Sequence, residues 1–254
     1  MKKMQMFIFI IALICFLGSG GYLAKYFWER HVSSKNMDDI KSLLVENDTI
    51  QINEARGEST DNTNILLRYS QLHEINPDFS GWIEIPGTTI DYPVMYVEGD
   101  NDTYLHANFK KEWDGGGTPF IDGRCSMDPS SANLIIYGHN MNDKSMFQPL
   151  INYKKEQFYN EHKLIKFDTL YEEGTYEVAA VILAKALTED EKGFEYYEHL
   201  DFENEAEFDA YWQNIQQLSL YDTGVSVEYG DELITLSTCE YSQENGRLAV
   251  IAKK

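Results

Sequence analysis

The sequence predicts a β-rich domain that closes into a barrel behind an apolar N-terminal segment. Three observations predict it. Short runs rich in β-branched and aromatic residues recur from Gly81 to the C-terminus, about eight in all, with turn residues between them. The chain has 254 residues and is 13 % aromatic, with 17 Tyr and 13 Phe, which leans towards β-structure and against disorder. A set of about eight strands must also do something with its edges, and closure removes them.

Taken in order, residues 1–24, "MKKMQMFIFIIALICFLGSGGYLA", set two lysines before an uncharged run long enough to span a bilayer. Lys2 and Lys3 would hold the N-terminus in the cytoplasm and put the bulk of the chain outside. The reading is a membrane anchor. A cleavable signal segment is the alternative, with Gly18, Ser19 and Gly20 small enough for a cleavage site. Residues 25–62 are polar and mixed, a stalk with one helix expected near "MDDIKSLLVEN". The remaining residues, 63–254, form the domain. Ile65, Leu66, Tyr69 and Leu72 recur at helical spacing, and Pro77 ends that helix.

Strand-like runs follow: "GWIEIPGTTIDYPVMYV", broken by its Pro-Gly, then "TPFID", "ANLIIYG", "LIKFDTL", "TYEVAAVILAKAL", "GVSVEYG", "ELITLST" and "RLAVIAK". Two helical stretches interrupt them, "SMFQPLINYKKEQFYNEH" and "ENEAEFDAYWQNIQQLSL". In the second, Phe208, Tyr211, Trp212, Ile215 and Leu218 share an apolar face.

The formal net charge is −21, so a phosphate backbone is repelled and nucleic acid is excluded as a natural partner. The acidic run "TEDEKGFEYYEHLDFENEAEFD" lacks the ligand spacing and Gly of an EF-hand loop. It is read as a solvated face, and no metal or other cofactor is expected.

Export makes the three cysteines informative. Cys15 lies in the apolar segment. Cys125 and Cys239 could form one disulfide, and are too few for a disulfide framework. Cys239 ends "ITLSTC", a strand-like run, just before the polar loop "EYSQENG", where a rigid element presents a side chain to a cleft. His139 stands in the same way after "NLIIYG". Arg247 opens the last strand, beyond a loop that folds the chain back on Cys239. His31, His73, His106, His162 and His199 carry no further signal. A thiol, an imidazole and a guanidinium at strand ends are the parts for acyl transfer through a thioester: nucleophile, general acid and base, and oxyanion donor.

These residues resemble the sortases, the cysteine transpeptidases of the Gram-positive envelope. "TLSTC" with its arginine and the upstream "YGHNM" carry the resemblance, which spans about residues 64–252. "FSGWIEIPGTTIDYPV", "GDNDTYL", "TPFIDGR", "YGHNMNDKSMFQPL" and "FYNEHKLIKF" are similar to class B members in particular, as is the helix at 203–219. The resemblance implies an eight-stranded β-barrel with N-terminal helices and a helix inserted before the last strands, held by one N-terminal anchor with the catalytic domain outside the cell.

It also implies cleavage of a C-terminal sorting signal after Thr, an acyl-enzyme on Cys239, and transfer to an amine of the cell wall such as that of lipid II. A pilin-polymerising role, or a thiol protease using water, is the alternative. Signals of the Asn-Pro-x-Thr kind are frequent in the class. His139, Cys239 and Arg247 match the catalytic positions; Asn101, Tyr197, Ser237, Thr238 and Glu240 match positions near the substrate groove. Cys125 has no counterpart role, which argues against a disulfide to Cys239.

Overall fold

A computed structural model describes residues 2–50, 65–188 and 190–254. The first helix, α1, runs unbroken over Lys2–Ile50. The expected stalk is therefore helical through residue 50, and its residues 51–62 lie outside the described residues. The polar composition after residue 24 does not interrupt the helix. No Pro or Gly occurs between residues 25 and 50, so nothing there stops a helix. The apolar part of α1 is long and apolar enough to cross a membrane. This helix and the remainder form separate compact units.

In the second unit a short helix, α2 (Leu67–Ile75), buries Tyr69 and Leu72. Eight strands follow: β1 (Phe79–Glu84), β2 (Asp91–Met95), β3 (Phe120–Ile121), β4 (Asn133–Tyr137), β5 (Leu164–Thr169), β6 (Thr175–Lys185), β7 (Leu233–Cys239) and β8 (Gly246–Lys253). They close into a barrel in the order β1-β2-β3-β4-β7-β8-β6-β5. All neighbours are antiparallel except β2/β3 and β4/β7, which are parallel. The expected stretch "SMFQPLINYKKEQFYNEH" becomes a 3-10 helix at Gln148–Lys154 and a short helix α3 (Glu156–Glu161).

One expected strand is absent. "GVSVEYG" stays irregular between Gly224 and Gly230. Its alternation fits a strand, but both edges of β7 are already taken by β4 and β8, and a closed barrel offers no third. Val225 and Val227 instead pack into a cluster under α4 (Glu205–Leu218). Eight strands are nonetheless reached, because "GWIEIPGTTIDYPVMYV" supplies both β1 and β2 across its Pro-Gly turn.

Helix α4 begins where Asn204 caps it, the side-chain oxygen accepting from the Glu207 N–H at 3.1 Å. Its buried face, Phe208, Tyr211, Trp212 and Ile215, lies on the outer face of the barrel wall. Leu218, expected on that face, is left partly exposed and is not among its buried residues. Ala179, Ala180 and Ala184 of β6 and Ala249 of β8 keep the wall low enough for the helix to approach. Because side chains alternate along a strand, the face of β8 bearing Ala249 and Ile251 also bears Arg247. On β7, the residues opposite these in register are Ser237, Thr235 and Cys239. The connection from β6 to β7 that carries α4, the crossover, thus covers this face around Ala249 and Ile251 and leaves the Cys239–Arg247 end open.

Candidate active site

Strand register brings the three reactive side chains together. In the parallel pair β4/β7, Tyr137 is level with Ser237, the last such pair. Two residues further along each chain stand His139 and Cys239. The extension is held by three bonds: the Gly138 N–H to the Ser237 carbonyl (3.1 Å), the Thr238 hydroxyl to the Gly138 carbonyl (2.7 Å), and the Asn140 side-chain amide to the Cys239 carbonyl (2.8 Å).

In the antiparallel pair β7/β8, Cys239 lies directly opposite Arg247. The neighbouring pair, Glu240–Gly246, is hydrogen-bonded through the Glu240 N–H at 2.9 Å. Cys239–Arg247 is therefore a non-hydrogen-bonded pair, the kind whose side chains stand closest. The turn between them needs special residues. Asn245 has φ 53°, and a Cβ on Gly246 would fall 2.3 Å from the Glu240 carbonyl oxygen.

The side chains line one cavity of about 140 Å³, walled by Tyr104, Leu105, Phe120, Tyr137, His139, Ser237, Thr238, Cys239 and Arg247, among others. The His139 Nε2 lies 2.8 Å from the Leu105 carbonyl. A carbonyl only accepts, so Nε2 carries the proton and Nδ1 is the nitrogen left for proton exchange. Gly138 lets Phe147 press against the backbone just before His139; a Cβ there would sit 2.5 Å from the ring.

On its other side the His139 ring stacks on His106 (5.5 Å, 21°), which in turn packs on the exposed Trp113 (5.1 Å). Nothing local in the sequence singles out His106; its stacking on His139 depends on how the loop that carries it folds, which spacing does not show. Arg247 makes no ion pair among the described residues, and its Nη1 donates only to the backbone carbonyls of Gly246 (3.0 Å) and Asn245 (3.5 Å). Its charge and remaining donors are uncommitted. Among the described residues no cluster of His, Cys, Asp or Glu is arranged to hold a metal.

The other expected groove residues divide. Ser237 and Thr238 line the cavity. Tyr197 does not: its hydroxyl donates to Glu195 (2.6 Å) and accepts from the Leu187 N–H (3.2 Å). Its neighbour Tyr196 reaches the site instead, its hydroxyl 2.6 Å from that of Ser237. Burial pushes the Tyr196 phenol up to about 12, so it stays a neutral partner. Asn101 is also outside the cavity, committed to Asp122 (3.1 Å) and the Gly123 N–H (2.7 Å).

Glu240 is buried beneath the loop that follows Cys239. It is paired with Lys154 (2.8 Å) and accepts from both the backbone and the hydroxyl of Ser242. Cys125 is buried and free, its Sγ 3.8 Å from the Asn133 carbonyl, and burial pushes its thiol up to about 11. Cys239 is likewise a free thiol, half-buried.

Glu240 makes a prediction. Burial pulls its carboxyl up, but the hydrogen bonds from Lys154 and Ser242 outweigh this and hold it below its ordinary value of 4.5. A lowered folded-state pKa means stability fully present above that value and lost as pH falls through the folded one. Lys154→Met should cost about 1–2 kcal/mol at pH 7, since the ion pair is partly exposed and Ser242 remains. Thermal melts should show the gap from wild type closing as pH drops below about 4. A gap constant from pH 7 to pH 3 would contradict the assignment.

Comparison with known proteins gives a consistent set. Residues 83–254 match the sortase domain family. The chain is 35 % identical over 188 residues to sortase B of Staphylococcus aureus, covering 73 % of this chain and 74 % of that protein. It is 34 % identical over 250 residues to sortase B of Listeria monocytogenes, covering 96 % and 94 %. Among solved structures, a Staphylococcus aureus sortase B–substrate complex has a TM-score of 0.74 at 28 % identity, covering 89 % of this chain and 97 % of that one. Sortase B from Bacillus anthracis in complex with AAEK1 has a TM-score of 0.73 at 31 % identity, covering 89 % and 98 %.

Proposed function

This chain belongs to the sortase family as a class B cysteine transpeptidase, and from that premise we propose that it cleaves a C-terminal sorting signal after Thr and joins the freed carbonyl to an amine of the cell wall. The observation that carries the reading is the convergence of Cys239, His139 and Arg247 on one cavity through the β4/β7 and β7/β8 registers.

The chemistry follows from the positions. The Cys239 sulfur, its proton passed to His139, attacks the scissile carbonyl carbon. Negative charge moves to the carbonyl oxygen, where the Arg247 guanidinium supplies a permanent charge and free donors. The Glu240 N–H, one residue past the nucleophile, is already bonded to Gly246, so the side chain is the donor at hand. The C–N bond then breaks, and His139 gives its proton to the leaving amine, leaving a thioester on Cys239. An incoming primary amine loses its proton to His139 and attacks the thioester carbon. The amide forms and the thiolate departs.

α1 would hold the chain in the cytoplasmic membrane with the barrel outside, beside the peptidoglycan precursors that supply the amine. Lys2 and Lys3 at its start support that orientation.

Transfer is tested by incubating the full chain with a signal peptide of the Asn-Pro-x-Thr kind and rising triglycine. The peptide–triglycine product should increase with amine while the hydrolysis product falls in proportion. Hydrolysis unaffected by amine would make the enzyme a protease and sink transfer.

A further inference from the structure

The "TPFIDGR" segment lies outside the reaction just described, yet it builds the most connected polar cluster near the cavity. Asp122 follows β3 and is fully buried. Its carboxylate accepts from the Arg124 backbone N–H (3.0 Å), Arg124 Nε (3.0 Å) and Nη2 (2.8 Å), Asn101 Nδ2 (3.1 Å) and the Tyr137 hydroxyl (2.9 Å). Arg124 reaches onward to the crossover, with Nη1 on the Glu198 carboxylate (2.7 Å) and Nη2 on the Tyr197 carbonyl (2.8 Å).

One end of this cluster lines the cavity and the other bonds to a residue that does. Tyr137 lines it and stands two residues before His139. The Tyr196–Glu198 turn presents the Tyr196 hydroxyl to Ser237, two residues before Cys239. We propose that Asp122 and Arg124 are positioning residues for the signal-binding wall, acting through Tyr137 on one side and through the 196–198 turn on the other. The proposal rests on the transpeptidase reading and deepens it by naming what sets the shape of its peptide site.

The chemistry of the pair fits that task better than simple stabilisation. A planar guanidinium bonded at once to a buried carboxylate, a turn carboxylate and a backbone carbonyl fixes the distance between β3 and the crossover, which a point charge cannot. Asn101 completes the cluster by holding the 99–103 loop to Asp122 and Gly123. Asp122, Arg124 and Asn101 are not among the residues that line the cavity of Cys239, so their loss should loosen the peptide's seat and leave the chemical step intact.

The test uses the full chain, with single-turnover acylation by the signal peptide read across peptide concentration, beside thermal melts. Glu198→Ala removes one bond of the cluster, and Glu198 is exposed enough that folding is not at stake. It should raise the half-saturating peptide concentration about 3- to 10-fold, the size of one hydrogen bond, with the saturating rate within about 2-fold of wild type. Arg124→Lys, keeping charge without the fork, should raise it at least as far, since the two-pronged hold on Asp122 is lost as well. A fall in melting temperature with unchanged half-saturation would reduce the cluster to a structural role and overturn the proposal. So would a fall in the saturating rate alone, which would place the effect on the reacting trio. If the wild-type chain itself is not acylated, it is the transpeptidase reading that fails.

Discussion

Cys239→Ala is expected to fold and melt like wild type to within about 1 kcal/mol, since a half-buried thiol at a strand end gives up little packing. It is expected to lose signal cleavage by on the order of 10⁵-fold or more, the scale seen when a covalent nucleophile is removed. The matched control is Cys125→Ala. That thiol is buried, and its raised pKa keeps it protonated at neutral pH. Its removal should cost about 1 kcal/mol of stability and leave the rate unchanged. Peptide cleavage measured on the two variants separates the roles. Residual activity in Cys239→Ala within 10-fold of wild type would remove the sulfur from the mechanism.

The second large effect belongs to Arg247. Opposite Cys239 in a non-hydrogen-bonded pair, and free of any carboxylate among the described residues, it is placed to answer charge that appears only as the carbonyl is attacked. Arg247→Ala should lower kcat by about 10²- to 10³-fold, the usual loss for one oxyanion donor, with KM little changed. Lysine keeps the charge and loses the planar fork, so Arg247→Lys should recover part of the rate and no more. A loss confined to KM would make Arg247 a binding residue, and the oxyanion role would be wrong.

Much of this was legible in the sequence, for identifiable reasons. Strands ending in a reactive residue and a polar loop stand out because period-2 runs and turn residues are local signals. That is why Cys239, His139 and Arg247 could be named before any geometry. Helix α4 was legible because four apolar residues share one face at helical spacing. The parallel β4/β7 pairing was not: it joins segments about 100 residues apart, and no local signal encodes it. The irregular "GVSVEYG" shows the same limit from the other side, where a good local strand pattern found no free edge to join.

The groove residues show how phase is lost in short turns. Tyr196 and Tyr197 are adjacent in a 3-10 turn, and only the fold decides which hydroxyl meets Ser237. Asn101 was singled out for the groove, yet its side chain is taken up by Asp122 and Gly123, more than 20 residues on. The continuity of α1 is hidden in the sequence because polarity changes near residue 24 while the backbone does not.

In the proposed reaction everything passes through one atom, the Cys239 sulfur that carries the acyl group. The most direct measurement is to mix the full chain with the signal peptide in the absence of amine, quench in acid, digest and locate the added mass. A thioester-linked fragment ending in Thr should appear on the peptide that contains Cys239, and be absent when His139 is replaced by Ala. The same mass on the peptide containing Cys125, or full turnover with no adduct even at the shortest times, would contradict it.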